Sequence, residues 1–378
     1  MHLRVTEVEA HNFRSFEQIR VDLDPLTVLV GQNASGKSNL LDVLRFTSES
    51  LRKGLDSAIS LRRGISAIRR WSAKGRPYDV TVRVILKSDE ASASYSFTVG
   101  SKRRTEFEVK NEACSITHRG QDLQYEIRNG TWVAAPEDLK KIPLARAALA
   151  LPIVAAVKPF GLVYNALTGM RFYTIYPNVL REPQPPGVPY PLEEHGSNLA
   201  SVLREMQRTG NQWLPDLRAV LKRIVPDIGD FGVRQIGGYF VVMLVHEMDT
   251  ANRERAFFDL SQESDGTLRI LGLLTALYQD PPPTLISIEE PELTVHPGVI
   301  GVLADVLKET AKRSQVLITT HSPDLMDCVP VTSIRVVERV KGVTRIGPVN
   351  KEQIGAVEDR LFTPGDILRL EGLQRGEE

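Results

Sequence analysis

The chain has 378 residues, 42% of them hydrophobic, enough for one large or two modest domains with a substantial buried core. Lys+Arg and Asp+Glu both number 47, so no overall field draws the protein onto nucleic acid or an anionic membrane, and any such affinity must be local. The two cysteines, Cys114 and Cys328, make no metal-type cluster and no disulfide framework. The charged start MHLRVTEVEAHNFRSF lacks a signal-peptide centre, and no apolar run reaches the ~18 residues of a membrane span, which together point to a cytoplasmic protein without membrane contact.

In chain order, residues 3 to 30 read as short strands (LRVTEVEA, IRVDL, LTVLV) broken at Asn12 and at Asp24-Pro25. The octapeptide GQNASGKS, Gly31 to Ser38, follows the apolar run Leu26 to Val30 and precedes Leu40, Leu41, Val43 and Leu44 at helical spacing. Strand, loop and helix are the context in which G-x-x-x-x-G-K-[ST] cradles a polyphosphate. Gly31 and Gly36 allow turns that a Cβ would obstruct, and the loop and helix-start residues Asn33, Ser35 and Asn39 offer donors to phosphate. Lys37 is placed to reach the β and γ phosphates, and Ser38 to ligate Mg²⁺. Next comes a basic stretch from Arg52 to Arg76, including Arg62, Arg63, Arg69 and Arg70 around Trp71. It reads as a solvated helical face, with DNA-phosphate tracking and base stacking on Trp71 as the alternative.

From Tyr78 to Val109 the pattern alternates, as antiparallel strands do. Leu139 to Met170 is richer in Ala and Leu and reads as helical, with breaks at Pro143, Pro152 and Pro159. A Pro-rich connection, 177 to 191, suits an ordered surface loop or hinge, and amphipathic stripes from Leu199 and from Trp213 predict two helices. Gly237-Gly238 marks a hairpin. The strand Leu285 to Ile288, a helix-length segment from Pro297 to Lys312, and the strand Gln315 to Thr320 form a β-α-β unit that favours a parallel sheet. Beyond it, Val331 to Glu378 reads as a hairpin around Lys341-Gly342 and a short helical tail. Glu289 and Glu290 end the first strand of the β-α-β unit. Carboxylates are costly in a core but useful beside a metal-bound phosphate: Glu289 would help hold hydrated Mg²⁺ and Glu290 would deprotonate the attacking water. The plainer alternative is an ordinary acidic strand end.

Taken together, GQNASGKS, LSQESDGTLR (Leu260 to Arg269), IEEPELTVHP (Ile288 to Pro297) and TTHSP (Thr319 to Pro323) resemble the ABC-type ATPases of the RecF/SMC/OLD group. The opening HNFRSF and the run Ser38 to Asp42 extend the likeness, while residues from about 80 to 250 match only loosely. The resemblance implies an α/β, P-loop NTPase head with a mixed parallel core sheet, an antiparallel β subdomain and an inserted helical lobe. The expected parts are 1–130 for the N-terminal part of the head, 131–230 for the helical lobe and 231–378 for the C-terminal part. It further implies ATP and Mg²⁺ as cofactors, Ser264 and Gly266 as a signature loop meeting the γ-phosphate held by a second subunit, His321 as a switch histidine, and Arg14 as a phosphate contact. A plain helix N-terminus explains Ser264 and Gly266 equally well, and an exposed arginine explains Arg14. Asn33-Ala34 stands where the family often has Asn-Gly, Glu289 where it usually has Asp, and Ser264-Asp265-Gly266 where it carries paired glycines; the Q-loop glutamine stays open among Gln121, Gln124, Gln184 and Gln207. The implied activity is ATP hydrolysis by a homodimer that closes on ATP, with DNA maintenance as the process. The alternatives are a sensor ATPase of a defence or toxin system acting on a separate nuclease or effector, and a non-hydrolysing ATP-binding scaffold. A transporter subunit is disfavoured by the strand-rich start and the long middle segment.

Overall fold

The computed structural model describes residues 3–71, 78–100, 106–249 and 254–376. The chain divides into two compact units, one built from residues 1–170, 331–362 and 370–378, the other from 171–330 and 363–369. The stretch 131–230, expected as one helical lobe, is therefore divided at Met170, and it opens on a strand, Thr131–Ala134.

In the first unit, seven antiparallel strands run in the order Gln18–Asp22, Arg4–His11, Val80–Lys87, Ala91–Gly100, Glu108–His118, Gln121–Arg128 and Thr131–Ala134. The alternation visible from Tyr78 onward is the pleat: Val80, Val82, Val84 and Leu86 are buried, and the intervening Thr81, Arg83, Ile85 and Lys87 are half-buried or exposed. The helix Lys37–Arg52 turns Phe46 inward, where it meets Phe13 at 5.9 Å and Phe97 at 6.0 Å between ring centroids. One aromatic run thus ties the helix after the P-loop to the antiparallel sheet, at separations suited to tilted ring pairs. Also in this unit, Leu26–Val30 lies parallel to Ile334–Val340, which returns antiparallel as Val343–Pro348 through the turn at Lys341-Gly342.

The helix-rich segment of this unit between Glu137 and Thr168 is anchored by a buried carboxylate. Glu112, 1% exposed, accepts hydrogen bonds from the Tyr125 hydroxyl (2.8 Å), the Tyr95 hydroxyl (3.1 Å) and the amides of Ala150 (2.6 Å) and Leu151 (2.9 Å). Burial pushes its pKa up, and the four donors pull against that. Glu112→Ala leaves four buried donors without an acceptor, each costing about 1–3 kcal/mol if water cannot reach it. A loss of at least about 3 kcal/mol is expected in chemical denaturation, and a change under 1 kcal/mol would show that the segment is held elsewhere.

In the second unit, Leu285–Glu289 is parallel to both Gln315–Thr320 and Arg171–Tyr173, and all but its last residue are buried. The antiparallel strands Ile228–Ile236, Tyr239–Asp249 and Glu254–Asp259 form a separate sheet, with the first hairpin turning at Gly237-Gly238. Helices Leu199–Thr209 and Leu214–Ile224 bury the apolar stripes visible in the sequence, including Leu203, Met206, Leu217 and Leu221. The Pro-rich connection, expected as a loop throughout, opens on a short helix, Pro177–Arg181, because a proline at the first helical position costs no hydrogen bond, and only the rest is an ordered loop. Asn198 donates to the carbonyls of Val188 and Pro191, and the Gln184 side chain spans Gly196 O and Ala200 N. No helix among the described residues is long and apolar enough to cross a membrane.

Candidate functional site

The P-loop runs from the end of Leu26–Val30 into helix Lys37–Arg52, and two glycines in it answer to steric necessity. A Cβ on Gly31 would lie 2.0 Å from the carbonyl oxygen of Val337, and Gly36 has φ of 113° with the Thr344 side chain against it. Ala34 adopts φ of 61°, the left-handed conformation that a glycine accepts freely and an alanine holds at a cost of about 1 kcal/mol. Ala34 thus takes the backbone conformation that a glycine would take at that position. The Lys37 ammonium donates to the carbonyls of Gly31 (2.8 Å) and Gln32 (3.1 Å). The Ser35 hydroxyl is buried and finds no hydrogen-bond partner among the described residues. Asn33 and Ser38 are exposed. A loop of this curvature, with an orphaned hydroxyl, a lysine folded over it and a helix start behind it, fits the phosphates of a nucleotide.

Thr344 backs the loop, a residue that no sequence motif singles out. Its hydroxyl donates to Ser35 O at 2.6 Å and lies 2.7 Å from the Ser15 hydroxyl, while its amide donates to Ser15 O. Asn39 then donates to Ser15 Oγ at 2.6 Å, and Arg14 pairs with Asp42 at 2.7 Å and lies 3.5 Å from Asn39 Oδ1. Arg14 and Asn39, both expected near phosphate, are thus brought beside the P-loop helix and joined to each other.

The basic stretch Arg52 to Arg76 does not form one exposed strip. Arg62, only 7% exposed, is clamped by Asp42 and Glu49 at 2.6 Å each, and those carboxylates raise its pKa even though burial is the largest influence and opposes them. Arg69 is buried, with its pKa lowered by desolvation, and Arg70 pairs with Glu17 at 3.4 Å. Trp71 is 82% exposed, while Lys74 and Arg76 lie outside the described residues.

In the second unit the parallel register Glu289↔Thr319 ends two strands at the same level, so Glu290 and His321 emerge side by side, with Nε2 to Oε1 at 3.7 Å. Both are about one-third exposed. Glu290 has φ of 46°, and its amide donates to Thr319 O at 3.0 Å. A third carboxylate binds the two turns together: Glu292 Oε1 accepts from the Thr320 hydroxyl at 2.6 Å and from the His321 amide at 3.2 Å. The spelling EEPE shows Glu292, but only the fold shows that its carboxylate accepts from both Thr320 and the His321 amide. Its neighbours give the arrangement a half-exposed base beside an imidazole, suited to orienting and deprotonating a water.

Ser264 is the N-cap of helix Asp265–Leu277, its oxygen accepting from Thr267 N, so the plain capping role is filled. Gly266 sits where a Cβ would lie 2.7 Å from Thr294 O, so the helix start abuts the loop that follows Glu290. His296 caps its own turn, accepting from Gly298 N. Of the four glutamines, Gln184 is buried in loop contacts and Gln207 donates to Phe231 O.

Residues 26–327 match the AAA-domain family described as putative AbiEii toxin, Type IV TA system. DNA replication and repair protein RecF of Myxococcus xanthus (strain DK1622) is 32% identical over 117 residues, 30% of this chain and 27% of that protein. RecF of Lactococcus lactis subsp. cremoris (strain MG1363) is 38% identical over 45 residues, 12% of each. The alignments thus take in about a quarter or less of these relatives' length. Among solved structures, an SMC head bound to the C-winged helix domain of ScpA covers 93% of this chain and 98% of its own, with a TM-score of 0.55 at 15% identity. The Smc head domain with an extended coiled coil, bound to the C-terminal domain of ScpA derived from Pyrococcus furiosus, covers 95% and 99%, with a TM-score of 0.51 at 13% identity. With the family match spanning well over half of its length, the chain belongs to this AAA-domain family and carries the α/β head of a RecF/SMC-like ABC-type ATPase.

Proposed function

We propose that this protein is an ATP hydrolase that works as an ATP-gated homodimer, each nucleotide held by the P-loop of one copy and the signature loop of the other. The observation that carries this reading is the P-loop itself, glycine-bound in shape at Gly31 and Gly36 and with Lys37 folded over it. Gly31, Asn33, Ser35, Gly36, Lys37, Ser38 and Asn39 would hold the phosphates, with Arg14 beside them. Ser38 and Glu289 would hold Mg²⁺, which neutralises phosphate charge when bound. Glu290 takes the proton of the attacking water, and His321 orients the γ-phosphate. Ser264 and Gly266, at the start of a 13-residue helix, present amides and the positive helix end to the partner's triphosphate. A phosphate-release assay separates this reading from a scaffold that binds ATP without turnover.

DNA maintenance is the process suggested by the RecF relatives. Burial of Arg62 and Arg69 takes two charges of the basic stretch out of reach of a DNA phosphate, which weakens the alternative in which that stretch tracks DNA; with the family's description, this favours a second reading in which the dimer governs a separate effector protein. Hydrolysis rates with and without duplex DNA at two salt concentrations decide between them. Stimulation that fades steeply with salt supports DNA, and indifference supports a protein effector.

A further inference from the structure

Arg269 lies in the first turns of helix Asp265–Leu277 and is 6% exposed. Its guanidinium donates to three backbone carbonyls: Nη1 to Ile175 O at 3.0 Å, and Nη2 to Glu290 O at 2.9 Å and Glu289 O at 3.3 Å. Burial lowers its pKa, opposed by the charges of Glu292 and Glu290. Placing a charged group in a desolvated position to hold main-chain oxygens is expensive, since a neutral side chain could fill the same volume without that penalty. What Arg269 gains there is a hold on the backbone on both sides of the Glu290 Cα, with Ile175 as its third anchor.

That backbone needs holding. Glu290 has φ of 46°, a conformation that non-glycine residues occupy only when their surroundings over-determine it. Its amide is fixed by Thr319, through the carbonyl at 3.0 Å and the hydroxyl at 3.2 Å. Its carbonyl is fixed by Arg269 and by the Leu293 amide at 3.1 Å. The same helix touches the turn a second time, where Gly266 packs on Thr294 O closely enough to exclude a Cβ. The helix start and the Glu290 turn therefore cannot shift independently.

We propose that Arg269 is a positioning residue for the hydrolytic step, a strut through which contact at Ser264 and Gly266 sets the backbone of Glu290 in the same chain. This rests on the reading above, in which Glu290 activates water and the signature loop meets the partner's nucleotide. Engagement of that loop presses the helix start, and Arg269 with Gly266 passes the displacement to the carboxylate, so a copy becomes competent to hydrolyse when its partner is loaded.

The test measures wild type, Arg269→Gln, Arg269→Lys and Glu290→Gln side by side for ATP affinity by calorimetry, ATP-driven dimerisation by light scattering, and kcat and KM by phosphate release. Arg269→Gln is expected to bind ATP within threefold of wild type, to dimerise, and to lose at least twentyfold in kcat. Arg269→Lys, which keeps the charge and can still reach a carbonyl, is expected to lose about fivefold. A kcat within twofold of wild type in a folded Arg269→Gln, or a loss confined to ATP affinity, overturns the proposal while leaving the ATPase reading intact. Should Arg269→Gln fail to fold, Arg269→Lys decides alone, and an unchanged kcat overturns the strut. A Glu290→Gln protein that hydrolyses like wild type overturns Glu290 as the base and the strut with it, and leaves ATP hydrolysis itself standing.

Discussion

Lys37→Ala is expected to abolish measurable ATP binding, with calorimetric affinity weakened at least a hundredfold. The ammonium sits on the carbonyls of Gly31 and Gln32, inside the curve of the loop, and it is 8% exposed. Exchanging those carbonyls for phosphate oxygens gives charge-assisted hydrogen bonds, each worth about 1.5–3 kcal/mol. Two such bonds amount to about 3–6 kcal/mol, and each 1.4 kcal/mol is a factor of ten in affinity. Removing the amine also removes the charge that offsets crowded phosphates, so the lower figure is a floor. Folding should be affected much less, because Gly36, Thr344 and the helix remain to shape the loop. Affinity within threefold of wild type would disprove the nucleotide assignment at Gly31 to Ser38.

Glu290→Gln is expected to bind ATP as wild type does, to lose about 10²- to 10⁴-fold in kcat, and to accumulate as a dimer when ATP is added. The amide has the size of the carboxylate and leaves the left-handed backbone untouched, so shape is kept and basicity is lost. A dimer that closes on ATP and opens on hydrolysis is then caught in the closed state. Light scattering reads the mass directly. A variant that stays monomeric at saturating ATP would count against the gated dimer, and one that dimerises while hydrolysing normally would move the base to another residue.

What could be read from the chain alone was whatever has a fixed spacing. Gly31 to Ser38, the carboxylates after Leu285 to Ile288 and the histidine after Gln315 to Thr320 each lie within a few residues of a strand end, so periodicity and motif sufficed to find them. The contacts that organise them are long-range and escaped notice. Thr344 meets Ser35 across 309 residues, and Arg269 meets Glu290 across 21 with no spacing rule to signal it. The basic stretch misled for a related reason. A charge run is counted along the chain, whereas the residues that neutralise Arg62 lie upstream on the P-loop helix and approach only after folding. Helical periodicity between 137 and 224 correctly suggested helices, yet it carries no information on which body each would join. Strands at 121–134 were missed where polar residues interrupt the alternation.

The hydroxyl of Thr344 resting on Ser35 has an implication for how this polypeptide matures. The P-loop leaves the ribosome long before the residue that buttresses it, and at about 5–20 residues per second a separation of 309 residues takes about 15–60 s to make. For that interval the nascent loop has its glycines but not its back wall, which is completed late in translation, when the hairpin at Lys341-Gly342 closes behind it.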